Sequence, residues 1–295
     1  MLNKINLAIF FNNFRGVETL EYLRKKKDIK IKKVFIAKKN LNNKIIGILK
    51  KKKINFKIIK DVNKKKISLE IKRLQVDFNI LAGFPYILKK FMISSSKFGT
   101  LNLHAGKLPK YRGGSPINWQ IINGERKIGI SIIKINEKID SGYLINESEF
   151  SIGKKDHVKS VHEKVNNIFP ILTYRSIHII KSKKLNFCKK IRLSKSNYFK
   201  QRKPEDGRIS WKKMGQLQIY NFVRALSYPY PGAFTFNENK KKIIINNCEI
   251  SKLVIPGIKI GEVRKIRNYY FVKTKRGVIK IISFKGDLKS GQKLQ

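Results

Sequence analysis

The sequence predicts an α/β fold: a mostly parallel sheet wound with helices, followed by a smaller β-rich part. Three observations predict it. Short apolar runs recur along the first half of the chain, helical spacings fall between them, and from Ala233 onward the runs become short and strand-like, separated by Gly and Asn. Ile5 to Phe11 is almost continuously apolar, the pattern of a strand buried on both faces. Val17, Leu20 and Leu23 then recur at helical spacing. Ile31 to Ala37 reads as a second strand, Ile45 to Leu49 as a helix, and Phe56 to Ile59 as a third strand. Ile67, Leu69, Ile71 and Leu74 fit another helix, Phe78 to Ala82 a fourth strand, and Thr100 to Leu103 a fifth. Such alternation implies crossover connections, and ligands of such sheets sit beyond the C-terminal ends of the strands. Gly129 to Ile135 and Tyr143 to Phe150 read as further strands, and Val158 to Ile180 as a long helix. The helical period is lost after Lys184, and Ser194 to Pro204 reads as a linker. A helix is expected near Leu217 to Leu226, then a small β-barrel or meander. The expected division is residues 1–204 and 205–295.

At 295 residues and 41% hydrophobic content, the chain can bury a sizeable core. Its formal net charge of +48 would suit nucleic acid or an anionic membrane. Only 13 of the 67 basic residues are arginine, however, the better fork for phosphate. Lysine, isoleucine and asparagine abound in strands and loops alike, as a compositional bias would produce. The two cysteines, Cys188 and Cys248, form neither a metal spacing nor a disulfide framework, which fits a reduced, cytoplasmic protein without a metal. No run approaches the ~20 apolar residues of a membrane span. Met1 to Lys4 lead straight into a strand pattern, so no signal peptide is expected.

The chemistry concentrates in Leu101-Asn102-Leu103-His104, then Leu108-Pro109, then Tyr111-Arg112-Gly113-Gly114 and Pro116. Asn102 and His104, two apart at a strand end, project to the same side. An amide and an imidazole side by side suit a reaction in which charge develops on an oxygen. A strand-end Asn or His is more often a cap or a satisfied polar group. Asp140-Ser141-Gly142 reads by itself as a turn, although an acid close to His104 would orient the imidazole.

Taken in register, the stretch from Asn102 to Gly142 resembles the signature of the folate-dependent formyltransferases: an Asn-x-His strand end, a Leu-Pro turn soon after, and a distant Asp-x-Gly. The resemblance implies a Rossmann-like formyltransferase domain, an OB-like C-terminal subdomain, and 10-formyltetrahydrofolate as co-substrate. It places Asn102, His104 and Asp140 at the catalytic positions. It lays the folate against Tyr86, Ile87 and Leu88, Leu108, Gly114, and Asn136, Glu137, Lys138, Ile139 and Asp140. In the implied mechanism an amine attacks the formyl carbon, Asn102 and protonated His104 stabilise the oxyanion, and Asp140 orients His104 and helps remove the amine's proton. Lys107, Arg112 and Tyr230 are candidate acceptor contacts. Two positions depart from the family pattern: Gly106 where Ser is usual, and Lys107 where Leu is usual. Lys107 reads equally as an anion contact or as one more lysine of a lysine-rich chain.

Three features favour a nucleotide-linked amino sugar (a dTDP- or UDP-4-amino-deoxy sugar of lipopolysaccharide biosynthesis) as acceptor. Lys38 to Ile45 holds no Gly, Pro or Arg, where formyltransferases acting on methionyl-tRNA resemble one another in a Pro/Gly/Arg-rich insertion. Arg202 to Trp211 resembles the linker of sugar formyltransferases, and Tyr228 to Phe234 the Pro-aromatic-Pro-Gly-Ala-Phe segment of the enzyme that formylates UDP-4-amino-4-deoxy-arabinose. The basic surface argues instead for initiator tRNA. A non-catalytic folate- or RNA-binding relative is the third reading, against which the intact Asn102, His104 and Asp140 speak. An exposed C-terminal strand could pair two subunits into a homodimer.

Overall fold

In the computed structural model the described residues are 4–182 and 188–295. The expectations placed on Met1 to Asn3 and on Lys184 lie outside them. In chain order the elements begin β1 (Ile5–Phe11), α1 (Phe14–Arg24), β2 (Ile29–Ala37), α2 (Asn43–Lys51), β3 (Phe56–Ile59), α3 (Lys65–Arg73), β4 (Phe78–Ala82) and α4 (Lys90–Ile93). They continue with β5 (Thr100–His104), β6 (Arg112–Gly113), α5 (Pro116–Ile122), β7 (Lys127–Ile135), β8 (Gly142–Ser151), α6 (Val158–Lys181), β9 (Lys189–Lys190) and β10 (Tyr198–Phe199). The last are α7 (Gln216–Leu226), β11 (Ala233–Phe236), β12 (Lys242–Ser251), β13 (Val263–Ile266), β14 (Tyr269–Lys273) and β15 (Val278–Lys285).

Two compact units result. The first comprises Met1–Gly113, Gly129–Phe150 and Glu163–Tyr198; the second comprises Gly114–Ile128, Ser151–His162 and Phe199–Gln295. An eight-stranded sheet in the order β3-β2-β1-β4-β5-β7-β8-β9 dominates the first. Strands β1 to β5 pair in parallel, as the alternating pattern predicts, whereas β7 runs antiparallel to β5. The central strand β1 is buried almost throughout, and Phe10 stacks on Phe35 of β2 at 4.6 Å between ring centroids. Each such buried side chain contributes about 1.5–3 kcal/mol of burial energy. Helix α2 starts where its sequence dictates, with Asn42 Oδ1 accepting from Lys44 N and Ile45 N at 3.1 and 3.4 Å.

The second unit packs α7 on a five-stranded antiparallel sheet ordered β11-β12-β15-β14-β13. Its core joins Ile209, Trp211, Ile219, Phe222, Ile245 and Val272. The run from β13 to β15 is a meander of neighbouring strands, while β12 inserts between β11 and β15. The segment read as a linker is more ordered than that reading. It carries 3-10 turns at Leu193–Lys195 and Pro204–Gly207, and at the second Asp206 Oδ2 accepts from Lys203 N at 2.8 Å. Helices α4 and α5 are too short, at four and seven residues, to show a helical period in sequence.

Candidate active site

Strand β5 fixes the first two candidate side chains. Its register against β7 sets Asn102 opposite Ile133 and His104 opposite Ser131, and the two-residue spacing puts both side chains on one face. Between them, the Leu103 carbonyl accepts a hydrogen bond from Arg15 Nη1 at 3.1 Å, and the Arg15 guanidinium lies over the Phe169 ring. His104 is buried, at 5% side-chain exposure.

The third candidate arrives from the loop after β7. Because β7 is antiparallel to β5, with Lys134 opposite Leu101, this loop leaves the sheet beside the start of β5 and returns over Asn102 and His104. Asn136 Oδ1 organises it, accepting from Lys138 N at 3.0 Å and from Ser141 Oγ at 2.5 Å. Gly142 closes it at φ +110°, where an added Cβ would sit 2.3 Å from the Lys134 carbonyl oxygen. Asp140 itself takes a left-handed φ of +44°, unusual for a residue with a side chain. That turn brings Asp140 Oδ1 to 3.4 Å from His104 Nδ1 and 3.5 Å from Asn102 Nδ2. The structure therefore gathers Asn102, His104 and Asp140 around one carboxylate oxygen.

A second strand of chain meets the same group. The Tyr111 carbonyl oxygen lies 2.6 Å from His104 Nε2. Both ring nitrogens thus face acceptor oxygens. Gly113 N–H donates to Asp140 Oδ2 at 2.8 Å. Arg112 directs its guanidinium at the Asp140 loop: Nε to the Ile139 and Asp140 carbonyls at 3.2 Å each, and Nη2 to the Ile139 carbonyl at 2.6 Å. Its Nη1 donates to Ser196 Oγ at 3.0 Å.

The remaining sequence candidates are distributed around this centre. Lys107 forms an ion pair with Glu149. Leu108 is buried against Ile133 and Ile191. Tyr86 packs its ring edge-on to Phe84, and its hydroxyl accepts from Lys39 N at 3.3 Å. Ile87 is exposed at 66% and Leu88 is buried. Asn136, Glu137, Lys138 and Ile139 are all exposed. In the second unit, Gly114 lies against Gln201, and Tyr230 shares a 3.0 Å hydrogen bond with His162 Nε2.

Several residues escaped the sequence reading. Ser131 donates to the Gly106 carbonyl at 2.8 Å and accepts from Leu108 N at 3.3 Å, pinning the turn that follows His104. Its only sequence signal is a polar residue inside an apolar strand. The Tyr111 carbonyl and the Gly113 N–H act through backbone, which leaves no residue-type signature, and Ser196 fell in the presumed linker.

A mostly parallel α/β sheet that sets an amide, an imidazole and a carboxylate within hydrogen-bonding range has the groups an enzyme uses for proton transfer and oxyanion stabilisation. The chain belongs to the folate-dependent formyltransferase family: residues 18–175 match the formyl transferase family model, and residues 202–292 match the formyl transferase C-terminal domain. Methionyl-tRNA formyltransferase of Thermodesulfovibrio yellowstonii is 32% identical over 213 residues, covering 72% of this chain and 67% of the relative. Bifunctional polymyxin resistance protein ArnA of Wigglesworthia glossinidia brevipalpis is 38% identical over 175 residues, covering 56% of this chain but 25% of that longer protein. Among solved structures, the N-formyltransferase from Helicobacter canadensis in complex with folinic acid and dTDP-3-aminofucose superposes with a TM-score of 0.67. That match has 22% identity and covers 95% of this chain and all of the other. No described helix is long and apolar enough to cross a membrane.

Proposed function

We propose that the protein transfers the formyl group of 10-formyltetrahydrofolate to the amine of a nucleotide-linked amino sugar. The carrying observation is the convergence of Asn102, His104 and Asp140 on one carboxylate oxygen. The acceptor amine attacks the formyl carbon, and the carbonyl oxygen gains negative charge. Asn102 Nδ2 holds a second N–H for that oxygen, and the His104 imidazolium contributes its field and, on release from the Tyr111 carbonyl, a proton. Asp140 orients the imidazole and accepts the proton lost by the amine, directly or through a water. The tetrahedral intermediate then collapses, the bond from the formyl carbon to the folate N10 breaks, and N10 takes up a proton as tetrahydrofolate leaves. Ile87 and Asn136 to Ile139 are exposed, and the folate ring system is placed against the backbone of Tyr86 to Leu88 and of Asn136 to Asp140, a contact indifferent to side-chain identity.

The sugar acceptor is supported by the connection after β2, which runs only from residue 38 to 42 and is held by Asn12 Nδ2 on the carbonyls of Ala37, Lys39 and Asn40. A five-residue turn leaves no insertion of the kind expected for a tRNA enzyme. Initiator methionyl-tRNA is the second reading, favoured by the Thermodesulfovibrio relative and by the +48 charge. Purified protein offered formyl-folate with a dTDP- or UDP-amino sugar, or with charged initiator tRNA, separates the two. Formylation of tRNA alone overturns the sugar assignment, and formylation of neither overturns both.

A further inference from the structure

We infer that Arg112 is a positioning residue for the catalytic carboxylate rather than a contact for the acceptor. The inference rests on the proposed role of Asp140 and deepens it. The Arg112 hydrogen bonds run to the protein itself: to the Ile139 and Asp140 carbonyls and to the Ser196 hydroxyl. Its neighbour Gly113, at φ +94°, turns its N–H onto Asp140 Oδ2. The dipeptide therefore grips Asp140 twice, by main chain and by side chain.

This grip answers a specific need. A left-handed φ is uncommon at a residue bearing a Cβ, though Asp tolerates it better than most, and contacts that hold the turn keep the carboxylate where it is. Released, the 139–140 peptide would relax, and the carboxylate would turn away from His104 Nδ1. A planar guanidinium spans two successive carbonyls with donors of fixed geometry; an ammonium offers a single charged centre and cannot bridge them in the same way. Arg112 donates to carbonyls that carry no net charge, so its role here is geometric rather than charge neutralisation.

The test is steady-state kinetics with whichever acceptor the protein formylates, on Arg112→Met and Arg112→Lys in the native and Asp140→Ala backgrounds. In the native background both variants should lower kcat by roughly 10-fold or more, with the acceptor KM within about 2-fold, the scale of losing charge-assisted hydrogen bonds that matter in the transition state. In the Asp140→Ala background, Arg112→Met should change kcat by less than about 2-fold, because its route of action is gone. A raised acceptor KM at unchanged kcat overturns the inference, as does recovery of activity by Arg112→Lys or an undiminished effect in the Asp140→Ala background. If Asp140→Ala alone turns over like the native protein, the role given to Asp140 fails first, and the inference with it. Arg112→Lys keeps the long aliphatic stem and serves by itself if Arg112→Met does not fold.

Discussion

Asp140 and His104, 36 residues apart in sequence, meet at 3.4 Å between Oδ1 and Nδ1. The opposite edge of the imidazole is fixed by the Tyr111 carbonyl, and the other carboxylate oxygen by Gly113 N–H. Neither side chain can rotate without breaking a second contact. On the proposed mechanism His104→Ala should reduce kcat by ~100-fold or more, the scale of a positioned acid–base group. Asn102→Ala should reduce it by a similar ~100- to 1,000-fold, as loss of an oxyanion donor does. Near-native turnover in either variant, measured as formyl transfer at saturating folate, removes that residue from the mechanism.

The Asp140 loop also has a steric requirement. Gly142→Ala would force a Cβ to 2.3 Å from the Lys134 carbonyl at a φ of +110°. Backbone must move, so the variant should be destabilised by about 1–3 kcal/mol and its Tm should fall. Gly47 provides the contrast. It is exposed within α2, and an added Cβ meets nothing within 4 Å. Gly47→Ala should stabilise by about 0.5–1 kcal/mol through helix propensity and reduced unfolded-state freedom. Thermal unfolding of the two variants should therefore shift in opposite directions, and a shared direction refutes the steric account of Gly142.

What sequence could reach in this protein divides along the line between side chain and backbone. The parallel sheet was legible because β1 and β4 are almost continuously apolar and fully buried strands need to be. Asn102, His104 and Asp140 were legible as residue types in register, although nothing in their spacing says that the loop after β7 turns back over β5. That depends on the antiparallel pairing of β7, a tertiary fact. Arg112 was read as a candidate acceptor contact, while the carbonyls it binds carry no sequence label. Ser131 and Ser196 were invisible for the same reason: a serine's role follows from what faces it.

The second unit carries a titration that should register in stability. Partial burial, and next to it the Arg224 guanidinium, push the His157 imidazole below its ordinary value of 6.5, with Asp156 opposing them. Its Nδ1 also meets Ser227 Oγ at 3.3 Å. A group that is harder to protonate when folded binds more protons in the unfolded chain, so its stabilising contribution is complete above pH 6.5. That contribution is lost as pH falls through the lowered folded value. Denaturant unfolding of the native protein should show stability falling as pH drops below about 6.5. His157→Gln, which cannot titrate, should flatten the curve in that window, and an unchanged slope refutes the assignment.

The two cysteines should differ in chemistry. Cys248 is buried on β12 within the second unit's core, and burial, reinforced by the neighbouring Glu249 carboxylate, pushes its thiol up to about 12. The thiolate is the reactive form, so at pH 8 Cys248 carries almost none of it and is also screened from solvent. Cys188 is only partly buried; burial raises its thiol while the Lys134 ammonium pulls it down. Titration of the native protein with an aromatic disulfide reagent should release about one equivalent of chromophore per chain, abolished by Cys188→Ser. A second equivalent should emerge only in denaturant, because reaching Cys248 requires opening the core formed by Trp211, Ile245 and Ile279. Rapid release of two equivalents without denaturant would mean that this core opens far more readily than its packing implies.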